Sequence, residues 1–191
     1  MPTDTVYGVG ADAFQPAAVA AVLAAKGRGR QMPPPVLVPS AFTVRGLARD
    51  ISAHAEALME AFWPGALTLI LWAQPSLAWD LGDTHGTVAV RVPDHAGALA
   101  LLQRTGPLAV TSANRTGQPA ATTATQALEQ LGESVAVILD AGDSPLGVAS
   151  TIVDATGEYL RVVREGGVTR AGIEAVVGAA ALAPDAGEPT A

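Results

Sequence analysis

Ser150-Thr151-Ile152-Val153 and Tyr159-Leu160-Arg161-Val162-Val163 are two strand-like runs separated only by Asp154-Ala155-Thr156-Gly157 and Glu158. A parallel crossover needs a dozen or more residues, so a four-residue turn with Glu158 starting the return makes the pair an antiparallel hairpin. Upstream, apolar runs of strand type alternate with segments of helical period, the pattern of an α/β protein. The hairpin and the alternation together predict a mixed sheet.

Outward from the hairpin, strands are expected at 36–38, 66–72, 87–92, 108–111, 135–139, 150–153 and 159–163. Helices are expected at 16–25, 41–48, 53–62, 95–104, 126–131 and 170–177. Pro16 suits a first helical turn, Ser40, Ser52, Asp94, Thr125 and Thr169 suit N-caps, and Gly27 and Gly106 suit helix ends. From about Gly178 the sequence turns to Ala, Gly, Pro and acids. The expected division is a domain at 1–178 and a disordered tail at 179–191.

A chain of 191 residues should bury roughly 70% of its extended surface, enough for one core. With no cysteine, thiol nucleophiles, CxxC redox chemistry and thiolate metal sites are excluded. A pI near 4.8 argues against a general nucleic-acid-binding surface. No apolar run approaches the roughly 20 residues of a membrane helix, and no signal-peptide pattern follows Met1. The expected location is cytoplasmic.

Against a formal net charge of -7, Lys26-Gly27-Arg28-Gly29-Arg30 gathers three cations, including the only lysine. The cluster follows a helix end, where cations favour the dipole, yet three exceed what capping requires and suit a polyanion such as a triphosphate. Thr3, Thr5 and Tyr7 alternate, so an extended segment would turn three hydroxyls to one face. Gly8-Val9-Gly10 resembles the start of a dinucleotide loop, but Lys26 and Arg28 stand where the ribose-binding acid belongs. Thr111-Ser112-Ala113-Asn114 leaves the end of a strand, where α/β sheets bind ligands; a turn satisfied by its own side chains is the alternative. Arg91 among Val88, Val90 and Val92 needs an anionic partner, either an acid or a ligand carboxylate. Asp80, Asp83 and His85 read as a polar loop, and no phosphate loop, HExxH or GxSxG pattern occurs.

In this order, Pro2–Gly10 (PTDTVYGVG), Lys26-Gly27-Arg28, Trp63-Pro64-Gly65, Val90-Arg91-Val92-Pro93, Thr111–Asn114 (TSAN) and Ser150–Asp154 (STIVD) with Arg164 resemble the YrdC family of threonylcarbamoyl-AMP synthases. The resemblance spans about Pro2 to Val177. It implies an open α/β fold with a twisted mixed sheet around a concave, positively charged cavity. It also implies a nucleotidyltransferase reaction: L-threonine, bicarbonate and ATP give threonylcarbamoyl-AMP and pyrophosphate for tRNA modification. By similarity, Lys26, Arg28, Ser112, Asn114 and Arg164 hold ATP, with Lys26 and Arg28 catalytic. Thr3, Thr5, Tyr7, Arg91, Thr111 and Ser150 surround threonine or its carbamate, and Mg²⁺ travels with the nucleotide. The implied partner is a tRNA threonylcarbamoyl transferase complex, with RNA contact and no membrane.

The sequence departs from the family in three places. Gly29-Arg30-Gln31-Met32-Pro33-Pro34-Pro35-Val36-Leu37 lacks the family's loop His and Asn, leaving Arg30 as the compensating cation. About thirty residues carrying a first helix and strand do not precede PTDTVYG, which predicts a truncated start and an open sheet edge. No second domain follows, as in the short form. The rival readings are an impaired nucleotide- or RNA-binding module and a carbamoyl-transfer domain of the hydrogenase-maturation type.

Overall fold

Alternation along β4 (Leu67–Ala73) sets the architecture. Leu67, Leu69 and Leu71 enter the main core, while Thr68 and Ile70 between them face a cavity on the other side of the sheet. The same alternation in β5 (Thr87–Arg91) sends Val90 to the core and Ala89 and Arg91 to the cavity. The computed structural model describes residues 1–184. The remaining strands are β1 (Gly8–Asp12), β2 (Val36–Leu37), β3 (Ala48–Arg49), β6 (Leu108–Ser112), β7 (Thr151–Asp154) and β8 (Arg161–Arg164). They form one sheet in the order β1-β6-β2-β5-β4-β7-β8, with β3 also paired to β4. The β2–β5 and β4–β7 pairs are parallel and the rest antiparallel, including the β7–β8 hairpin. The sheet is mixed, as the hairpin requires.

Among the described residues six helices flank it: α1 (Pro16–Ala25), α2 (Ala41–Leu47), α3 (Ala53–Phe62), α4 (Ala96–Thr105), α5 (Ala124–Leu131) and α6 (Arg170–Val177). In α1, alanines favour helix, Pro16 fixes the first turn, and Val19, Val22 and Leu23 recur at helical spacing to be buried. Gly27, at φ 66°, ends it: its amide bonds to Ala24 O at 2.9 Å and that of Arg28 to Leu23 O at 2.9 Å, a Schellman closure. Ser52 and Thr169 cap α3 and α6 as expected, accepting from Ala55 N and Gly172 N. Two caps fall elsewhere. His95 Nδ1, not Asp94, accepts from Ala98 N, and Thr123, not Thr125, holds the extended backbone before α5 and accepts from Gln126 N.

The structure corrects three further expectations. Residues 8–12 form a strand: a Cβ at either Gly8 or Gly10 would lie 2.6 Å from the Val110 side chain, so both glycines permit close approach to β6. The segment 135–139 forms no strand, because among the described residues no neighbour takes its backbone groups, and Val137 is 71% exposed. It faces the outer edge of β1 across an apolar cavity of about 510 Å³. On that edge Met1 pairs with Gly8 through Met1 N to Gly8 O at 2.9 Å and Gly8 N to Met1 O at 2.8 Å. Finally, Ala179–Ala181 is a 3-10 turn, and Leu182 is buried and bridged to Leu160, so residues 179–182 pack onto the domain rather than leaving it. The rest of the expected tail, 185–191, lies outside the described residues.

Candidate active site

The cavity behind Thr68, Ile70, Ala89 and Arg91 holds about 450 Å³. The loop at 3–7, the ends of β6, β7 and β8, and a strap at 31–35 close around it. Arg28, Arg91 and Arg164 line it, and among the described residues no Asp or Glu does. Burial pushes all three guanidiniums below their ordinary value; the charge of Arg28 adds to this at Arg164, and the charge of Arg164 at Arg91. Like charges held this close in a concave, partly dry site favour an anion.

The Schellman turn fixes where the cations point. Arg28 Nη1 donates to Thr111 Oγ1 at 3.1 Å and Nε to Thr116 Oγ1 at 3.4 Å. Lys26 turns the other way. Only 2% exposed and not among the lining residues, it donates to Asn114 O at 2.7 Å, to Asn114 Oδ1 at 3.0 Å and to Ser112 O. Burial, then the charge of Arg28, lowers its amine from 10.5 to about 8.

Lys26 is therefore a pin that shapes the Thr111–Asn114 turn. Asn114 completes it, donating through Nδ2 to Arg115 O at 3.0 Å and Gln118 O at 2.7 Å, and accepting from Ser112 Oγ at 2.6 Å. Thr111 and Ser112 remain on the cavity wall. The turn is satisfied by its own side chains, the alternative reading of this segment, and it also places the Thr111 and Ser112 side chains on the cavity wall.

On the opposite side, Ser150 Oγ lies 2.8 Å from Thr68 Oγ1, and Arg164 donates to Ser150 O through Nη2 at 2.6 Å and Nε at 3.2 Å. Tyr7 borders the cavity, but its hydroxyl leaves it, donating to Gly142 O at 2.6 Å and lying 3.3 Å from Asp140 Oδ1. Thr3 and Thr5 line the cavity with their hydroxyls 3.0 Å apart. Arg91, 5% exposed, finds its anion in Asp4: Nη2 donates to Asp4 Oδ1, Nη1 to Thr5 Oγ1 at 2.8 Å and Nε to Gly65 O at 2.8 Å. Sequence reasoning asked for an acid there without finding it, although Asp4 is the only one before Asp12.

Arg30 does not reach the site. Its guanidinium forks onto both oxygens of Asp80 at 2.9 Å and lies 3.3 Å from Asp83, tying the strap to the loop ahead of β5. The compensation assigned to it is replaced by neutral groups, since Gln31, Met32 and Pro33 to Pro35 line the cavity at that end. Leu81, Thr84 and Val88 were missed there too, because they come from a loop and a strand with no local signal.

This hydroxyl-rich, guanidinium-lined cavity on a mixed eight-stranded sheet has the charge to suit an anion. Residues 1–166 match the Sua5/YciO/YrdC family, described under the words telomere recombination, and the chain belongs to that family. It is 56% identical over 178 residues to a putative threonylcarbamoyl-AMP synthase of Mycobacterium tuberculosis, covering 93% of this chain and 82% of that one. It is 41% identical over 180 residues to the threonylcarbamoyl-AMP synthase of Bacillus subtilis, 93% of this chain but 52% of that one. The crystal structure of Pyrococcus abyssi Sua5 complexed with L-threonine superposes with a TM-score of 0.89 at 38% identity, over 93% of this chain and 52% of that one. The chain thus spans about half the length of these last two relatives.

Proposed function

We propose that this chain is an enzyme that makes threonylcarbamoyl-AMP from L-threonine, bicarbonate and ATP. The observation that carries the reading is the 450 Å³ cavity with three guanidiniums and, among the described residues, no carboxylate on its wall, in a chain whose relatives bear that enzyme's name. The threonine amine attacks the carbon of bicarbonate and water leaves, giving a carbamate. A carbamate oxygen then attacks the α-phosphorus of ATP; the bond to the bridging oxygen breaks, and pyrophosphate carries away the electron pair. Such a displacement needs positioning and charge neutralisation more than covalent help.

Arg28 and Arg164 supply the charge, with Ser112 and Thr111 beside them on the wall. Lys26 and Asn114 act through the turn they hold. Thr3, Thr5, Ser150 and Arg91 form the threonine side. With no carboxylate on the wall among the described residues, Mg²⁺ would enter as part of the nucleotide complex. The product serves a tRNA threonylcarbamoyl transferase, in keeping with a cytoplasmic protein; among the described residues no helix is long and apolar enough to cross a membrane.

The test is pyrophosphate release from ATP and Mg²⁺ by the purified chain. Release should require both L-threonine and bicarbonate. Release indifferent to threonine, or none from a chain that folds and binds ATP, overturns the reading and returns the binding-module alternative.

A further inference from the structure

The strap at 31–35 hangs from two polar fastenings. Beyond the cavity Pro35 O accepts from Val110 N at 2.8 Å, where the chain joins the sheet as β2. At the other end Arg30 O accepts from Asp83 N at 2.9 Å, and the Arg30 guanidinium grips Asp80 and Asp83. Gly82, at φ 106°, is required at this contact, since a Cβ there would lie 2.6 Å from Arg30 O. Between the two fastenings, among the described residues, the strap makes one hydrogen bond, and that is local, from Met32 N to Gly29 O at 3.2 Å. Pro33, Pro34 and Pro35 have fixed φ and no N–H, so they stiffen the span without tying it down.

The two sides of the Arg30 contact differ in freedom. On the loop side, Leu81 is buried in the main core, Trp79 stacks on Phe14 with ring centres 5.5 Å apart, and Thr87 Oγ1 donates to Thr84 O at 2.8 Å. On the strap side, Gln31 and Met32 are exposed yet line the cavity, as do Leu81 and Thr84 across the contact. The contact itself stands in water, for the side chains of Arg30, Asp80 and Asp83 are 58%, 42% and 50% exposed. An exposed ion pair shifts an equilibrium about fivefold at most and weakens with salt. Such a contact biases the strap without sealing it.

We propose that the strap is the gate of the cavity and that Arg30, clasped by Asp80 and Asp83, is its ionic latch, released to pass a ligand and re-formed to hold it. The anchored loop is the post and the strap the moving part. None of the three latch side chains lines the cavity, so they act through the strap, as positioning residues. Closure of this kind commonly sets the rates at which ligands enter and leave. The inference rests on the reading above for its ligand, ATP.

The chain has no cysteine, so Arg30→Cys/Asp83→Cys brings in its only two thiols, at residues that a backbone hydrogen bond holds within disulfide reach. Uptake and release of a fluorescent ATP analogue with Mg²⁺ are followed by stopped flow, and pyrophosphate release is measured alongside. The oxidised variant should exchange the analogue about tenfold or more slower than its reduced form, with turnover falling likewise and returning on reduction. Equal rates in the two forms would make the strap a fixed wall and overturn the proposal. Arg30→Ala supplies a second arm. At low salt it should release the analogue about fivefold faster than the parent, and the ratio should fall toward one at high salt, where the parental latch is screened too. A ratio of one at low salt, or a ratio that salt leaves unchanged, overturns the latch, and this arm decides alone where the disulfide does not form. If the parent exchanges the analogue but releases no pyrophosphate, the functional reading falls and the gate is judged on the exchange rates. A parent that binds no analogue brings down both.

Discussion

Replacing Lys26 by alanine tests whether this lysine is a ligand or a pin. In the fold its amine meets Ser112 O, Asn114 O and Asn114 Oδ1, and no water can replace it without entering a site that is 2% exposed. A buried acceptor left without a donor costs about 1–3 kcal/mol. Three acceptors at the low end give about 3 kcal/mol, to which the lost packing of the side-chain stem adds. That is a large share of the roughly 5–15 kcal/mol by which domains are stable. Lys26→Ala should therefore lower the urea midpoint clearly, and turnover should fall about 10²-fold or more as the Ser112–Asn114 turn relaxes away from Arg28. Lys26→Met, which keeps the stem, should recover part of the stability and none of the turnover. Urea unfolding by circular dichroism and pyrophosphate release at saturating ATP measure the two effects. If Lys26→Ala unfolds at the parental midpoint while KM for ATP alone rises, Lys26 touches the nucleotide and the pin is wrong.

Two predictions concern charge. The Lys26 value is depressed in the folded chain from 10.5 to about 8, so between these pH values the unfolded state binds more protons and stability rises with pH, whereas below about 8 the full cost of the buried ammonium is present. The difference in unfolding free energy between the parent and Lys26→Met should drift in favour of the parent across that window; a flat difference contradicts the assigned shift. Burial disfavours the charged forms of Arg28 and Arg164, and at Arg164 the charge of Arg28 adds to this, which an anion would relieve. Arg28→Ala and Arg164→Ala should each raise KM for ATP about tenfold or more, while the ligand-free protein melts no earlier than the parent. Early melting with unaltered KM would make them structural.

Much of the fold was legible because local rules agree with the tertiary outcome. Pro16 and Gly27 bracket α1, Ser52 and Thr169 cap their helices, and the short link after Asp154 forces β7 and β8 antiparallel. The failures share one cause. Residues 135–139 have the apolar pattern of a strand, but a strand exists only where a neighbour takes its hydrogen bonds. Gly8 and Gly10 resemble a phosphate loop, yet their purpose is a β6 neighbour about one hundred residues away, invisible in their own surroundings.

Residue pattern and motif order by themselves determined that this is a mixed α/β protein with a cationic cluster. Residue type and spacing limit backbone geometry and charge, and those limits are local. Which way each polar group points was decided only by tertiary structure. Lys26 and Arg28 are two residues apart, but the Schellman turn sends one amine behind the wall and the other guanidinium into the cavity. Asp4 became the partner of Arg91, and Arg30 that of Asp80 and Asp83, through contacts 50 or more residues apart along the chain. Buried charges must be paired wherever the fold places them, and that placement is a property of the whole sheet.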